Sequence, residues 1–535
     1  MLAALLAAST MLAVAPEPVP QPQFKRADVQ TAPKRQKGER IVGSRNGSFY
    51  VLRTAPGAGN WPVVYVDRHD ETGRRLWSHL HPVPRNTAGV GFTSFGDASM
   101  DTNNNLHVVL NTKLYPYRLL AKITPDETLA WEVSLNHCDA GAKVVPVPGS
   151  HDVLVACERA GIMRISRHLG SDGSEVWRYD SGNRPKKDNR VVARFDNDKD
   201  LIVASDWSEG PAATAVHGIR VAKFKLDGSK VWERTSSLPS RYGNARANLV
   251  DMFVQPDGGF VAVFDESSRW AIEVQRYSAT GRLQARHAIE PTLKQAGMRG
   301  IMAKHAHRNG KPMVTVAWSE YKKTNGPTLM MGITPIYFKS STIPRYAANG
   351  AVTTTSSTAS SGAKGGKGRM RARAVQRLRW EAVPYYEHRF AVSDHDILHG
   401  FALATGGRPY LVVTDTGSID RVRLTAVPML ASGHRRSAAH APPGRHARGI
   451  DIFLGKQRRA FVLATVGTQA GQYNGPNANV GVFEFSQITS KKPKATPSAA
   501  QNAGGAATPT ARPATKPKAR PAARPSKARP RMHAK

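Results

Sequence analysis

Short apolar runs recur along residues 40–487, each rich in Val, Ile, Leu or aromatic residues and each bounded by polar turns. The most regular series is Phe49-Tyr50-Val51-Leu52, Leu106-His107-Val108-Val109, Val153-Leu154-Val155, Leu201-Ile202-Val203, Phe260-Val261-Ala262-Val263, Met313-Val314-Thr315-Val316, Tyr410-Leu411-Val412-Val413 and Phe461-Val462-Leu463. No stretch sustains a 3.6-residue period, so short strands are predicted throughout. A second phrase runs in step with the first: an apolar/basic strand, a polar turn, and Trp four residues after the turn position. It reads Val66-Asp67-Arg68…Gly73…Trp77, Leu120-Ala121-Lys122…Glu127…Trp131, Met163-Arg164…Gly173…Trp177, Val221-Ala222-Lys223…Gly228…Trp232 and Val274-Gln275-Arg276…Gly281…Ala285. The anchors at 77, 131, 177, 232 and 285 lie 54, 46, 55 and 53 residues apart, and so regular an interval marks a repeat architecture. A unit of this size cannot bury both its faces alone, so four-stranded units repeated radially are expected: an all-β propeller of eight blades, with seven as the alternative because the seventh repeat lacks a clear Trp strand.

The interval breaks once, between Val314 and Val412. The excess is residues 349–374, a Thr/Ser/Gly/Lys/Arg stretch with too few apolar residues to pack, predicted to be a disordered insertion in blade six. Beyond it Arg377-Leu378-Arg379-Trp380-Glu381 repeats the Trp strand. All five tryptophans, Trp77, Trp131, Trp177, Trp232 and Trp380, are expected to pack between blades rather than to bind bases or sugars. The last repeat runs out of residues before its fourth strand. A segment from residues 16–39, Phe24 to Thr31, stands where it could close the ring and remove the exposed edge.

The formal charge is +36, which invites a polyanion partner. Its distribution changes that picture. The stretch 488–535 holds 12 Lys/Arg and no acid, residues 348–379 hold seven more, and the segment 24–40 has a net four, which leaves about +13 elsewhere. The 488–535 tail is Ala/Pro/Lys/Arg-rich and predicted disordered. Its Lys491, Lys492, Lys494, Arg512, Lys516, Lys518, Arg520 and Arg524 are candidate anion-binding groups. Residues 1–15 are almost wholly apolar and end in Ala13-Val14-Ala15, the form of a signal-peptidase site, although no Lys or Arg precedes them. They are too short for an ordinary membrane anchor, and no later run is long and apolar enough to span a bilayer. The expected location is periplasmic or extracellular, with the cytoplasm as alternative. Cys138 and Cys157 flank an apparent hairpin and are candidates for a disulfide.

The Gly-x-x-x-Trp phrase, intact as Gly73-Trp77, Gly173-Trp177 and Gly228-Trp232, resembles that of secreted bacterial β-propeller repeat proteins and, more distantly, of quinoprotein (PQQ-like) propellers. The preceding hairpin Asp101-Thr102-Asn103-Asn104-Asn105-Leu106 is similar too. The resemblance implies the fold and an envelope or extracellular setting. A quinoprotein would add a quinone, calcium and a vicinal cysteine pair, whereas here the cysteines stand 19 apart.

Other chemistry is sparse. Asp196-Asn197-Asp198-Lys199-Asp200 and Asp101 to Asn105 alternate oxygen-bearing side chains, as calcium loops do, but Asp and Asn also favour tight hairpins without a metal. His305 and His307, or His395 and His399, share strand faces without a nameable third zinc ligand. Asp394-His395-Asp396 has no nucleophile elbow to serve. No catalytic residue, cofactor or metal ligand is assigned. The expectation is a monomeric, non-catalytic binding scaffold for an envelope protein or glycan, its tail associating with anionic polymer. A quinoprotein-type oxidoreductase and a nucleic-acid binder are the alternatives.

Overall fold

The computed structural model describes residues 23–30 and, with interruptions, 37–486; the longer interruptions are 57–61, 82–91, 113–117, 211–215, 238–246, 322–327, 345–375, 428–435 and 469–477. The signal-peptide candidate, the insertion 349–374 and the eight basic residues assigned in the tail lie outside the described residues. Among the described residues every regular element is a strand, and no helix is long and apolar enough to cross a membrane.

The strands form eight antiparallel sheets that follow chain order: 37–81, 92–134, 140–180, 186–237, 247–289, 297–391, 397–440 and 446–486. The first strand of each sheet lies beside the first strand of the next, and that of the eighth returns to that of the first. First strands therefore surround an axis and fourth strands form the rim, which is an eight-bladed β-propeller. Residues 446–486 supply only three strands to blade eight. Gln23–Gln30 completes it, pairing antiparallel with Asn479–Ser486 as the outermost strand, with Gln23 opposite Ser486 and Gln30 opposite Val480. Without it that edge would present a row of unpaired backbone groups.

Position in the ring explains the sequence pattern. Second strands have neighbouring blades on both faces, so they are buried almost continuously; Phe49–Pro56 is buried at seven successive positions and Ala460–Gly467 at all eight. Rim strands face solvent and alternate, as in Glu175–Asp180. Blade six departs from the plan. Its third strand, Thr328–Pro344, runs for seventeen residues. Met330–Ile333 pair with His388–Ala391, while Ile336–Pro344 pair with Gln376–Pro384 up to the edge of the insertion. The fourth strand is thus in two pieces, and the residues before and after the insertion form a two-stranded ribbon.

The recurrent Trp phrase acquires a physical cause. Its basic residue and its tryptophan are cross-strand neighbours, Arg68 with Trp77, Lys122 with Trp131 and Arg167 with Trp177. Each pair donates to one backbone carbonyl in a turn of the following blade. Trp77 Nε1 (3.0 Å) and the Arg68 guanidinium reach Pro125 O; Trp131 Nε1 (3.1 Å) and Lys122 Nζ (2.7 Å) reach Gly170 O; Trp177 Nε1 (2.9 Å) and Arg167 (2.7 Å) reach Leu226 O. The rings of Trp131 and Trp177 then lie on the glycine of that next turn, a position that Glu127 holds in the turn reached by Trp77. A Cβ on Gly173 would stand 2.6 Å from Trp131, and one on Gly228 would stand 2.8 Å from Trp177. Both glycines also have φ near +80° (77° and 88°), so they serve the turn and the packing together. Trp232 lies on Gly281 in the same way.

Blade five has Ala285 opposite Arg276 where a Trp would stand. The Arg276 guanidinium instead stacks 3.7 Å from the centre of the Trp380 ring, which blade six sends back from its ribbon. Trp380 therefore occupies a fourth strand, like the other four, but meets the preceding blade.

Trp131→Ala is expected to cost about 3–5 kcal/mol in urea unfolding. Gly173→Ala meets the same ring, whereas Gly310 shares the left-handed backbone (φ 73°) with open space around it. Gly173→Ala should therefore be the more damaging of the two glycine changes, and equal losses would refute its packing role.

Candidate functional site

Each of the eight innermost strands breaks register at a β-bulge or irregularity, that of blade two at two places. As the edge of its sheet, an innermost strand also leaves backbone groups without a ladder partner, and acidic side chains from the preceding blade take two such donors. Asp451 Oδ2 of blade eight accepts from Ile41 N of blade one (3.2 Å), and Asp97 Oδ2 of blade two accepts from Val144 N of blade three (3.0 Å). Each carboxylate then has capacity left for a base. Asp97 pairs with Arg40, and Asp251 Oδ1 pairs with Arg194 NH2 at 2.8 Å.

These groups feel one another around the axis. Burial lowers the Arg40 pKa, but Asp97, with Asp451 and Asp251 beyond it, reverses that effect and holds the guanidinium above its ordinary value. Burial pushes the Asp451 carboxyl up, partly offset by its two backbone donors and by Lys304 and Arg40. The arrangement is asymmetric in exposure. Arg40 and Arg194 keep 40 % of their side-chain surface open, while Asp97 keeps 8 % and Asp251 keeps 22 %. The innermost strands thus hold acids inward and offer anchored cationic heads, with exposed Lys304 among them.

The other sequence candidates find structural employment. Lys223 Nζ stands 2.7 Å from Asp196 Oδ2 and 3.1 Å from Asp200 Oδ2, so an ammonium fills the point where the acids of that loop converge. The same Asp196 accepts from Asp198 N and Asp200 N, both at 2.9 Å. The donor set therefore does not fit a calcium ion beside the lysine. Asp101 accepts from Asn103 N, Asn105 N, Asn105 Nδ2 and His107 Nε2. Burial would raise its pKa, yet the bonds from His107 and Asn105 bring it down to about 2. His305 stacks on Phe253 of the neighbouring blade, with His307 edge-on to it. His399 is pushed down to about 3 by burial and by Arg448. Asp394 and His395 lie outside the described residues; Asp396 is buried, 3.9 Å from Arg423.

Cys138 and Cys157 are joined by a disulfide, Cα atoms 5.6 Å apart, tying the link after blade two to the second strand of blade three. Beside it lies a group the sequence reading did not single out. His137 Nε2 is 3.0 Å from Ser166 Oγ, which is 2.9 Å from His168 Nε2, and His168 Nδ1 faces Gly173 O at 3.0 Å. Burial, then His168 and the guanidinium groups of Arg178, Arg164 and Arg159, push His137 down to about 4. Ser166 and His168 share a face of one strand. That spacing, with His137 adjoining a cysteine, was the available signal.

No protein-family profile matches the chain, and no curated protein matches it. Among solved structures it is similar to the Dos1 propeller (9% identity, TM-score 0.47), with 87% of this chain and 95% of that chain covered. It is also similar to extracellular domains 1–2 of Drosophila semaphorin 1b (8% identity, TM-score 0.38, 87% of each chain). A third similarity is to a prolyl endopeptidase (12% identity, TM-score 0.40), covering 81% of this chain and about half, 53%, of that one. The blade count given above rests on strand order within this chain alone.

One buried acid reports on the ring through pH. Asp206 is fully buried in blade four, and its Oδ1 accepts from Arg190 N at 2.7 Å. Burial pushes its carboxyl up to about 6 despite that bond. A folded pKa above the unfolded value of about 3.9 means that the contribution is fully present at low pH and is lost as pH rises through about 6. Asp206→Asn keeps an acceptor for Arg190 N, so thermal unfolding should show a gain on the order of 2 kcal/mol at pH 7 and none at pH 4. An equal effect at both would contradict this account.

Proposed function

We propose that this protein is a non-catalytic binding scaffold that presents the mouth of its ring and the loops around it to an envelope protein or glycan, while the basic tail holds it near anionic polymer. The observation that carries this reading is the set of part-exposed arginine heads around the axis, Arg40 and Arg194, each fixed by a more buried carboxylate. Guanidinium groups held in place by a rigid ring lose little freedom when they take up a carboxylate, a sulfate or a backbone carbonyl. The apolar segment 1–15 and the acid-free tail support an exported protein working at the cell envelope.

The full chain and a form ending at Gln487 should be compared on cell-wall material and on DNA across a salt series. The full chain is expected to bind cell-wall material more tightly, with an advantage that fades as salt rises. Equal binding by both forms would remove the tail from the reading, and tighter binding to DNA would favour a nucleic-acid partner. Arg40→Ala with Arg194→Ala is expected to weaken whatever binding persists in the shorter form.

A further inference from the structure

The cysteine pair of blade three has a third potential ligand beside it. One ligand atom of His137 and the sulfurs of Cys138 and Cys157 all lie within 4.8 Å of one another, and the three residues are buried. We propose that this is a redox-gated zinc site: once the disulfide is reduced, Cys138, Cys157 and His137 bind one Zn²⁺.

A dithiol reductant gives up two electrons and two protons; its own disulfide forms, the bond between Cys138 and Cys157 breaks, and two thiols remain. Zinc then displaces both thiol protons to solvent. Two thiolates and an imidazole are the donor set that zinc favours, with bonds of about 2.3 Å to sulfur and about 2.0 Å to nitrogen. Cα atoms 5.6 Å apart allow both sulfurs to reach one ion by rotation of their side chains.

Two features of the surroundings support the assignment. Arg164 NH1 donates to His137 O (3.3 Å), and the Arg159 guanidinium donates to Asn136 O, so cationic groups flank the segment. Such neighbours oppose a bare dication on the histidines alone, yet they stabilise thiolates, whose two negative charges neutralise the metal. A fourth ligand is also within reach. His137 lies within 4.8 Å of ligand atoms of His168 and Glu175. Gly173 O pins the Nδ1 side of His168, and its Nε2 meets Ser166 Oγ (2.9 Å), a contact that ligation would exchange for the metal; ligating histidines are commonly held through their other nitrogen in this manner. Zinc would tie the same two segments that the disulfide ties.

The test uses the full-length protein, reduced with a phosphine under metal-free anaerobic conditions and titrated with Co²⁺. One equivalent should develop thiolate-to-cobalt charge-transfer absorption and tetrahedral d–d bands, which zinc bleaches; the oxidised protein should show neither. His137→Ala, which keeps its disulfide when oxidised, should weaken cobalt binding at least about tenfold after reduction. If reduction loosens the fold, zinc should restore the melting temperature and a chelator should remove it again. Absence of thiolate bands, unchanged affinity in His137→Ala, or a reduced protein that zinc does not stabilise would each overturn the proposal.

Discussion

A single turn carbonyl, shared by an indole N–H and a cation from the preceding blade, is the contact on which the rim of this ring depends. Pro125 O, Gly170 O and Leu226 O each receive such a pair. One hydrogen bond of this kind contributes only about 1 kcal/mol net, somewhat more when the donor is charged. At Gly173 and Gly228 the contact also fixes an aromatic ring against a glycine that has no side chain to obstruct it, and burial of the ring supplies the larger share. A blade is too thin to be stable alone, so the energy that matters is the energy between neighbours. The innermost strands repeat the principle with acids: Asp451 and Asp97 reach forward to backbone donors of the next blade. The ring is stitched at two radii, near its axis and at its rim.

Blade five shows what happens when one stitch is missing. Ala285 supplies no indole, and the next blade sends Trp380 backward to cover Arg276. The far end of the long strand Thr328–Pro344 pairs with the strand on which Trp380 stands. The blade that carries the insertion is also the one that repairs its neighbour.

Much of this architecture is legible in the sequence because it is local. Runs such as Phe49 to Leu52 are continuous because both faces are buried, and the Gly-x-x-x-Trp phrase recurs because blades three, four and five each offer a glycine backward to the tryptophan of the blade before. What local pattern cannot show is chemistry made by partners far apart in the chain. Lys223 entering the Asp196 loop, Asp451 reaching Ile41, and His137 meeting Ser166 and His168 have no common interval to betray them. Trp380 misleads for the same reason: its strand repeats the phrase, but a ribbon carries it to the opposite neighbour.

Closure by Gln23–Gln30 also sets an order in time. The first strand of the fold has no partner until the last strand, Asn479–Ser486, exists. A chain that emerges N-terminus first must hold that strand unpaired through the formation of seven blades, and then recover it across the longest loop in the molecule. Until that moment blade eight carries an open edge of the kind that recruits other chains. Pairing of the first strand with the last is thus also what removes that edge, so a chain in which the two have not met is open to mispairing.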